Sequence, residues 1–409
     1  MNRREFLQSA LFAAVAVRFP SLFAEDMACS GIPKYERDLF NEMMEKFNEL
    51  NPIDPATGRR RFISLGALSD VHACKRVAGD DDPVSPNKGF WYYFGGVLTD
   101  SDPSIRLLGS LAEKAGFDAI VHAGDFSTAN SLSPFQPGDY RNVIRGVKAR
   151  LDLYAPNTPF FTVDGNHDRE YWNNKTNSGN RMNDAEWSEV LKEINTDVSC
   201  NPDVVLTRHC DLPTPSIGPG EKGEYTGNSY TLDFRRLVKT GGANLRLVVV
   251  SLYDKSVGSA ITLRAADGLR FGNRKDSGLA PDNTVVGFLS HDMMKPLAPV
   301  AREYLDRNAG ARFFGGIAGH LHYPFVVPYA TNDCRLASSI HGITNCYCTH
   351  GTHSRESYRF SVFVFDTERN KVHEIRLAGG DKPDPKHPER VLRPNRPVVS
   401  TTDMDRASA

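Results

Sequence analysis

Apolar residues recur at Leu39, Met43, Phe47 and Leu50 in the segment that opens at Tyr35. That spacing predicts an early surface helix. The first buried strand is expected over Phe62 to Leu68, and the polar run Ser69-Asp70-Val71-His72 follows it. Asp102 and Pro103 make a good helix start, with Ile105, Leu108, Leu111 and Ala115 as its apolar face. The run FDAIVHA predicts a strand leading into Gly124-Asp125, and a helix is expected over Tyr140 to Tyr154. The strand FFTVD ends abruptly in Gly165-Asn166-His167-Asp168. Order is expected to return with the β-rich stretch Leu245 to Asp254 and with VVGFLSHD, which ends near His291. A helix over Leu297 to Asn308 precedes FFGGIAGHLH, which closes on His320 and His322. YRFSVFVFD and KVHEIRLA read as a late hairpin.

Strands alternating with helices imply an α/β fold with strands buried on both faces. In such folds ligand groups collect outside the carboxyl ends of strands. Five polar clusters stand at five expected strand ends: Asp70/His72, Asp125, Asn166/His167, His291 and His320/His322. Amides, imidazoles and carboxylates fill a core poorly but handle metals and protons well. Singly each cluster is weak: a Gly-Asp is usually a turn, and a lone histidine is usually a satisfied half-buried side chain. As a set they are mixed N/O donors without thiolate, which suits two divalent metals. A shared carboxylate holds two such ions about 3.5–4 Å apart, where they orient a phosphate and acidify a water.

The ordered clusters resemble the calcineurin-like metallophosphoesterases, whose signature runs D-x-H, G-D, G-N-H-D/E, a lone His, then G-H-x-H. Here these are Asp70-Val71-His72, Gly124-Asp125, Gly165-Asn166-His167-Asp168, His291 and Gly319-His320-Leu321-His322. The resemblance implies a four-layer fold, two mixed β-sheets packed as a sandwich flanked by helices. It implies that Asp70, His72 and His322 hold one metal, that Asn166, His291 and His320 hold the other, and that Asp125 bridges them. His167 would protonate or stabilise the leaving group, oriented by Asp168. Hydrolysis of a phosphomonoester or phosphodiester by metal-bound hydroxide, without a covalent intermediate, is the implied reaction. Thr128 stands where purple acid phosphatases carry an iron-ligating tyrosine, so the expected ions are manganese, zinc, ferrous iron or a mixture. The rival is a non-catalytic exported metal- or phosphate-binding protein on the same scaffold. Such a protein is expected to have lost a ligand or the histidine, and none is missing.

The N-terminus adds localisation. NRREFLQ places Arg3 and Arg4 before Phe6 and Leu7, and an apolar stretch too short to span a bilayer follows. It resembles a bacterial twin-arginine export signal. Residues 1–24 are expected to be the leader, 25–61 a helical lead-in, 62–378 the metallophosphoesterase domain and 379–409 an extended tail. Within the domain, 73–100 and the polar, Gly/Asn/Pro-rich 171–245 are expected to be lid or cap insertions. The protein is expected in the periplasm or secreted, with the twin-arginine machinery as a partner and no stable membrane insertion after processing.

Across 409 residues the net charge of −1 offers no field for nucleic acid, so a small phosphorylated substrate is expected. Cys200 and Cys210 are candidates to pair, but seven cysteines without regular spacing define no map. His122 reads as core rather than ligand. Trp91 to Phe94 read equally as an aromatic lid or as ordinary burial. The run CYCTHGTH has no standard finger spacing and is read as structural or disulfide-forming rather than as a third metal site. Arg169 reads as a surface ion pair rather than a phosphate contact.

Overall fold

A computed structural model describes residues 34–71, 74–75, 91–92, 102–126, 137–168, 182, 184–209, 228–235, 244–251, 268–269, 279–291, 297–320, 325–327, 346–348, 359–378 and 396–406. The leader, Thr128, Arg169, Cys210, His72, His322 and most of 73–100 lie outside these residues.

The chain enters through helix α1 (Lys34–Leu50), whose Leu39, Met43 and Phe47 are buried one helical turn apart. It continues through β1 (Ser64–Leu68), the short pair β2 (Cys74–Lys75) and β3 (Trp91–Tyr92), and α2 (Asp102–Ala115). Next come β4 (Ala119–His122), α3 (Pro137–Tyr154), β5 (Phe160–Thr162) and α4 (Asp184–Ile194). The second half holds β6 (Val204–Arg208), β7 (Tyr230–Phe234), β8 (Asn244–Val249), β9 (Thr284–Leu289), α5 (Ala298–Arg307) and β10 (Arg312–Ala318). Strands β11 (Phe325–Val327), β12 (Cys346–Cys348), β13 (Ser361–Asp366), β14 (Lys371–Ala378), β15 (Arg396–Asp403) and β16 (Asp405–Arg406) complete it.

One sheet has six strands in the order β15-β14-β13-β1-β4-β5. The other has eight, in the order β11-β12-β10-β9-β8-β7-β6 with β16 paired to β10. Both are mixed: β1, β4 and β5 run parallel while β13 lies antiparallel to β1, and β8, β9 and β10 run parallel while β7 lies antiparallel to β8. The sheets meet face to face through aromatic pairs, Phe161 with Phe234 at 6.4 Å and Phe314 with Phe365 at 4.8 Å between ring centroids. Each such ring removed from water contributes about 1.5–3 kcal/mol. Helices α1, α2 and α4 pack on the first sheet, α3 lies against α2 and α4, and α5 packs on β10 of the second. This is the expected α/β sandwich flanked by helices. Arg106 of α2 clamps α1 by a two-pronged bond to Glu36 at 2.7 and 2.6 Å.

Two sequence expectations need correction. The segment 171–245 is not simply a cap. Trp187, Val190, Leu191 and Ile194 of α4 are buried in the main core. Strands β6 and β7 extend the second sheet, where Asp233 binds Arg246 of β8 at 2.6 and 2.8 Å as a fully buried pair. Polar composition hid these elements because loop residues around them dominate the average. Nor is 379–409 an extended tail throughout: β15 pairs with β14 over its full length, and Asp405–Arg406 pairs with β10. It lies at the edge of its sheet with only Pro397 fully buried, and a proline is tolerated in an edge strand.

Candidate metal centre

The polar ends of β1, β4 and β5 and those of β9 and β10 meet at one edge of the sandwich. Main-chain pairing continues past the strands into these ends. The Ala123 N–H donates to Leu68, the Asp70 N–H to Gly124, the Ser290 N–H to Ile317 and the Gly319 N–H to His291. The first sheet therefore delivers Asp70, Asp125, Asn166 and His167, and the second delivers His291 and His320.

The turns that present these residues are strained. Among the described residues, four non-glycine residues have positive φ: Asp70 (52°), Asp125 (59°), His320 (69°) and Asn370 (60°). Three of the four are expected metal ligands. Such conformations cost about 1–3 kcal/mol each and persist where the surroundings over-determine them, as at functional sites. The surroundings of Asp125 do so. The buried Asp168 carboxylate accepts the N–H groups of Asp125 (2.8 Å), Phe126 (3.1 Å) and Gly165 (3.1 Å). His122 Nδ1 accepts the Gly124 N–H at 3.1 Å, and its ring stacks on Phe126 at 3.7 Å. The reading of His122 as a core residue agrees with its complete burial.

Donor atoms from both sheets converge. Asp125 Oδ2 lies 3.1 Å from His291 Nε2. His291 Nε2 lies 3.0 Å from Asn166 Oδ1, which lies 2.9 Å from His320 Nδ1. Ligand atoms of Asp125, His291 and His320 all fall within 4.8 Å of one another. Two donors at right angles on an ion 2.0–2.2 Å away stand about 3 Å apart, so these separations fit a common divalent cation. The His291 Nδ1–H donates to the Ala123 carbonyl at 2.6 Å, which turns Nε2 into the site. Burial acts to lower the His291 pKa, but the charges of Asp125 and Asp70 and the Ala123 carbonyl outweigh it and raise it to about 10. Carboxylates this close to a buried imidazole favour positive charge at this spot, which a bound cation would supply in place of the proton.

Asp70 is buried beside this cluster, and its carboxylate accepts the His320 N–H at 3.0 Å. His72 and His322, the other ligands expected with Asp70, lie outside the described residues. His167 sits at the rim, its side chain 31% exposed. Its N–H donates to Asp125 Oδ1 at 2.8 Å, and its Nε2 lies 4.0 Å from Asp125 Oδ2. Resemblance assigns Asp168 the orientation of His167. The bonds described above give that carboxylate a main-chain task, locking the Gly124 and Gly165 turns together.

Sequence reading missed the groups behind these ligands. Asp164, Ser251 and Ser229 are fully buried or nearly so, and they join β5 to the second sheet. The only advance signal for Asp164 was a carboxylate at the end of a buried strand.

A family model described as calcineurin-like phosphoesterase matches residues 63–238. No curated protein matches the chain. Among solved structures, a dimetal phosphatase from Danio rerio is similar at 11% identity and a TM-score of 0.41, over 83% of this chain and 98% of that one.

Proposed function

We propose an exported hydrolase of small phosphate mono- or diesters that works with two divalent ions, a reading supported by the match of residues 63–238 to a calcineurin-like phosphoesterase model. The observation that carries this reading is the convergence of Asp125, Asn166, His291 and His320 at 2.9–3.1 Å from two different sheets. Ions held there supply charge stabilisation at a phosphoryl oxygen and a nucleophile from water at neutral pH.

The residues divide the remaining work. Asn166, His291 and His320 would hold one ion; the family order implies that Asp70 with His72 and His322 would hold the other, with Asp125 as a shared ligand. Manganese, zinc and ferrous iron all suit these donors. Fixed donors in a buried edge orient the phosphate without reorganising during reaction. His167, exposed at the rim beside Asp125, meets the substrate and passes a proton to the departing oxygen. Asp168 keeps the loop that carries His167 in register with the loop of Asp125. An alkoxide leaving group needs that proton most, and alkyl monoesters and diesters alike release one.

Turnover of bis-p-nitrophenyl phosphate and p-nitrophenyl phosphate by manganese-loaded protein tests the proposal. His167→Ala is expected to bind metal as the parent does, to lose about 10²–10⁴-fold in kcat on an alkyl phosphate ester, and to lose far less on the p-nitrophenyl esters, whose leaving group departs without a proton. Equal turnover of the alkyl ester by the two would remove His167 from the chemistry. Absence of turnover by the parent, with metal bound, would favour a binding protein on the same scaffold.

A further inference from the structure

The metal ligands come from two sheets, so the spacing between the sheets at this edge sets the size of the site. One polar contact there involves no ligand. Asp164 lies two residues before Asn166, in the connection from β5, and is completely buried. Its Oδ2 accepts a hydrogen bond from Ser251 Oγ at 2.8 Å. Ser251 follows β8 in the opposite sheet and is also completely buried. Its own N–H donates to Ser229 Oγ at 3.1 Å, just before β7. A second cross-sheet contact stands deeper along β5, where the Tyr230 hydroxyl donates to the Thr162 carbonyl at 2.5 Å. Thus β5 is tied to β7 and β8 at two heights, and the outer tie is next to the loop that carries Asn166 and His167.

We infer that the Ser251–Asp164 hydrogen bond is a positioning latch that holds the Asn166–His167 loop against the second sheet at the separation a metal ion requires. A hydrogen bond between groups without water access is worth most where neither partner can be replaced by solvent. With the latch closed, Asn166 Oδ1 stays within reach of both His291 and His320 before any ion arrives. With it open, the ion must draw the loop inward itself, and affinity falls. Groups that orient ligands in this way typically change metal affinity about 10- to 100-fold when removed.

This inference rests on the metal-site reading above, and titration of the full-length protein with Mn²⁺ alone separates the two. Binding by the parent is the control for that reading. Ser251→Ala is expected to weaken Mn²⁺ binding about tenfold, while kcat recovers as Mn²⁺ becomes saturating. Asp164→Asn, which keeps an acceptor oxygen and the shape of the side chain, is expected to hold parental affinity and to report on folding. The double change Ser251→Ala with Asp164→Ala should be no weaker than Ser251→Ala alone. If the parent binds Mn²⁺ and Ser251→Ala binds it equally well, or if Asp164→Asn loses as much as Ser251→Ala, the latch is refuted. A drop in thermal stability without a change in Mn²⁺ affinity reduces the contact to ordinary packing and refutes it equally.

Discussion

At the scale of single residues, backbone conformation and chemistry coincide. Asp70, Asp125 and His320 each adopt a left-handed conformation that an ordinary side chain avoids. Each does so where a strand must stop and turn its donor atoms toward the other sheet. Glycines beside them supply the room. A Cβ on Gly165 would stand 2.1 Å from Asp125 Oδ1. Gly165→Ala is therefore expected to displace the proposed bridging carboxylate and to weaken Mn²⁺ binding about 10- to 100-fold. Calorimetric titration of the variant checks this, and unchanged affinity would show that Asp125 does not depend on that close approach. The motif residues were legible because several strand ends carried metal-binding chemistry in a family order. Asp164 and Ser251 were not, since a buried acid and a buried serine signal nothing until their partners across the sandwich are known.

At the scale of elements, legibility followed the purity of the periodic signal. Helix α1, strands β1 and β4 and the β13–β14 hairpin agree closely with their apolar patterns. Helix α4 and strands β6, β7 and β15 were missed because each is short or lies among Gly, Pro and polar residues. The β13–β14–β15 ladder also buries a charge. Glu374 of β14 accepts hydrogen bonds from Ser361 (2.7 Å) and Ser400 (3.2 Å) of the flanking strands. Burial raises its pKa, against the opposing effects of Ser361, Arg376 and Ser400. A carboxyl raised in the folded state contributes stability below its unfolded pKa and loses it as pH climbs through the folded one. Glu374→Gln cannot ionise. Its stability relative to the parent is expected to increase from about pH 4 upward, as urea unfolding at several pH values will register. A difference that does not vary with pH would mean that Glu374 titrates normally.

At the scale of the whole molecule, the proposed site exists only when the sandwich is closed. Its donors are drawn from Asp70 to His320, and neither sheet alone holds a complete set. Metal binding is then coupled to folding of the domain as a unit. This coupling suits the proposed twin-arginine export, which moves cargo already folded. Arg3→Lys with Arg4→Lys is expected to leave folded, metal-competent protein in the cytoplasm, by fractionation of cells making the full chain. Delivery of the variant to the periplasm at the parental level would end the export proposal.

The sequence by itself determined which chemistry was available. The five ordered polar clusters, the α/β alternation and the balanced charge follow from local pattern and composition, and each survives without knowledge of neighbours. Only the tertiary structure decided which donors meet at 2.9–3.1 Å, that Asp168 secures two turns through their N–H groups, and that β6, β7 and β15 belong to the sheets. The reason is physical: strand pairing and cross-sheet hydrogen bonds join residues far apart in the chain, and no local periodicity encodes the partner.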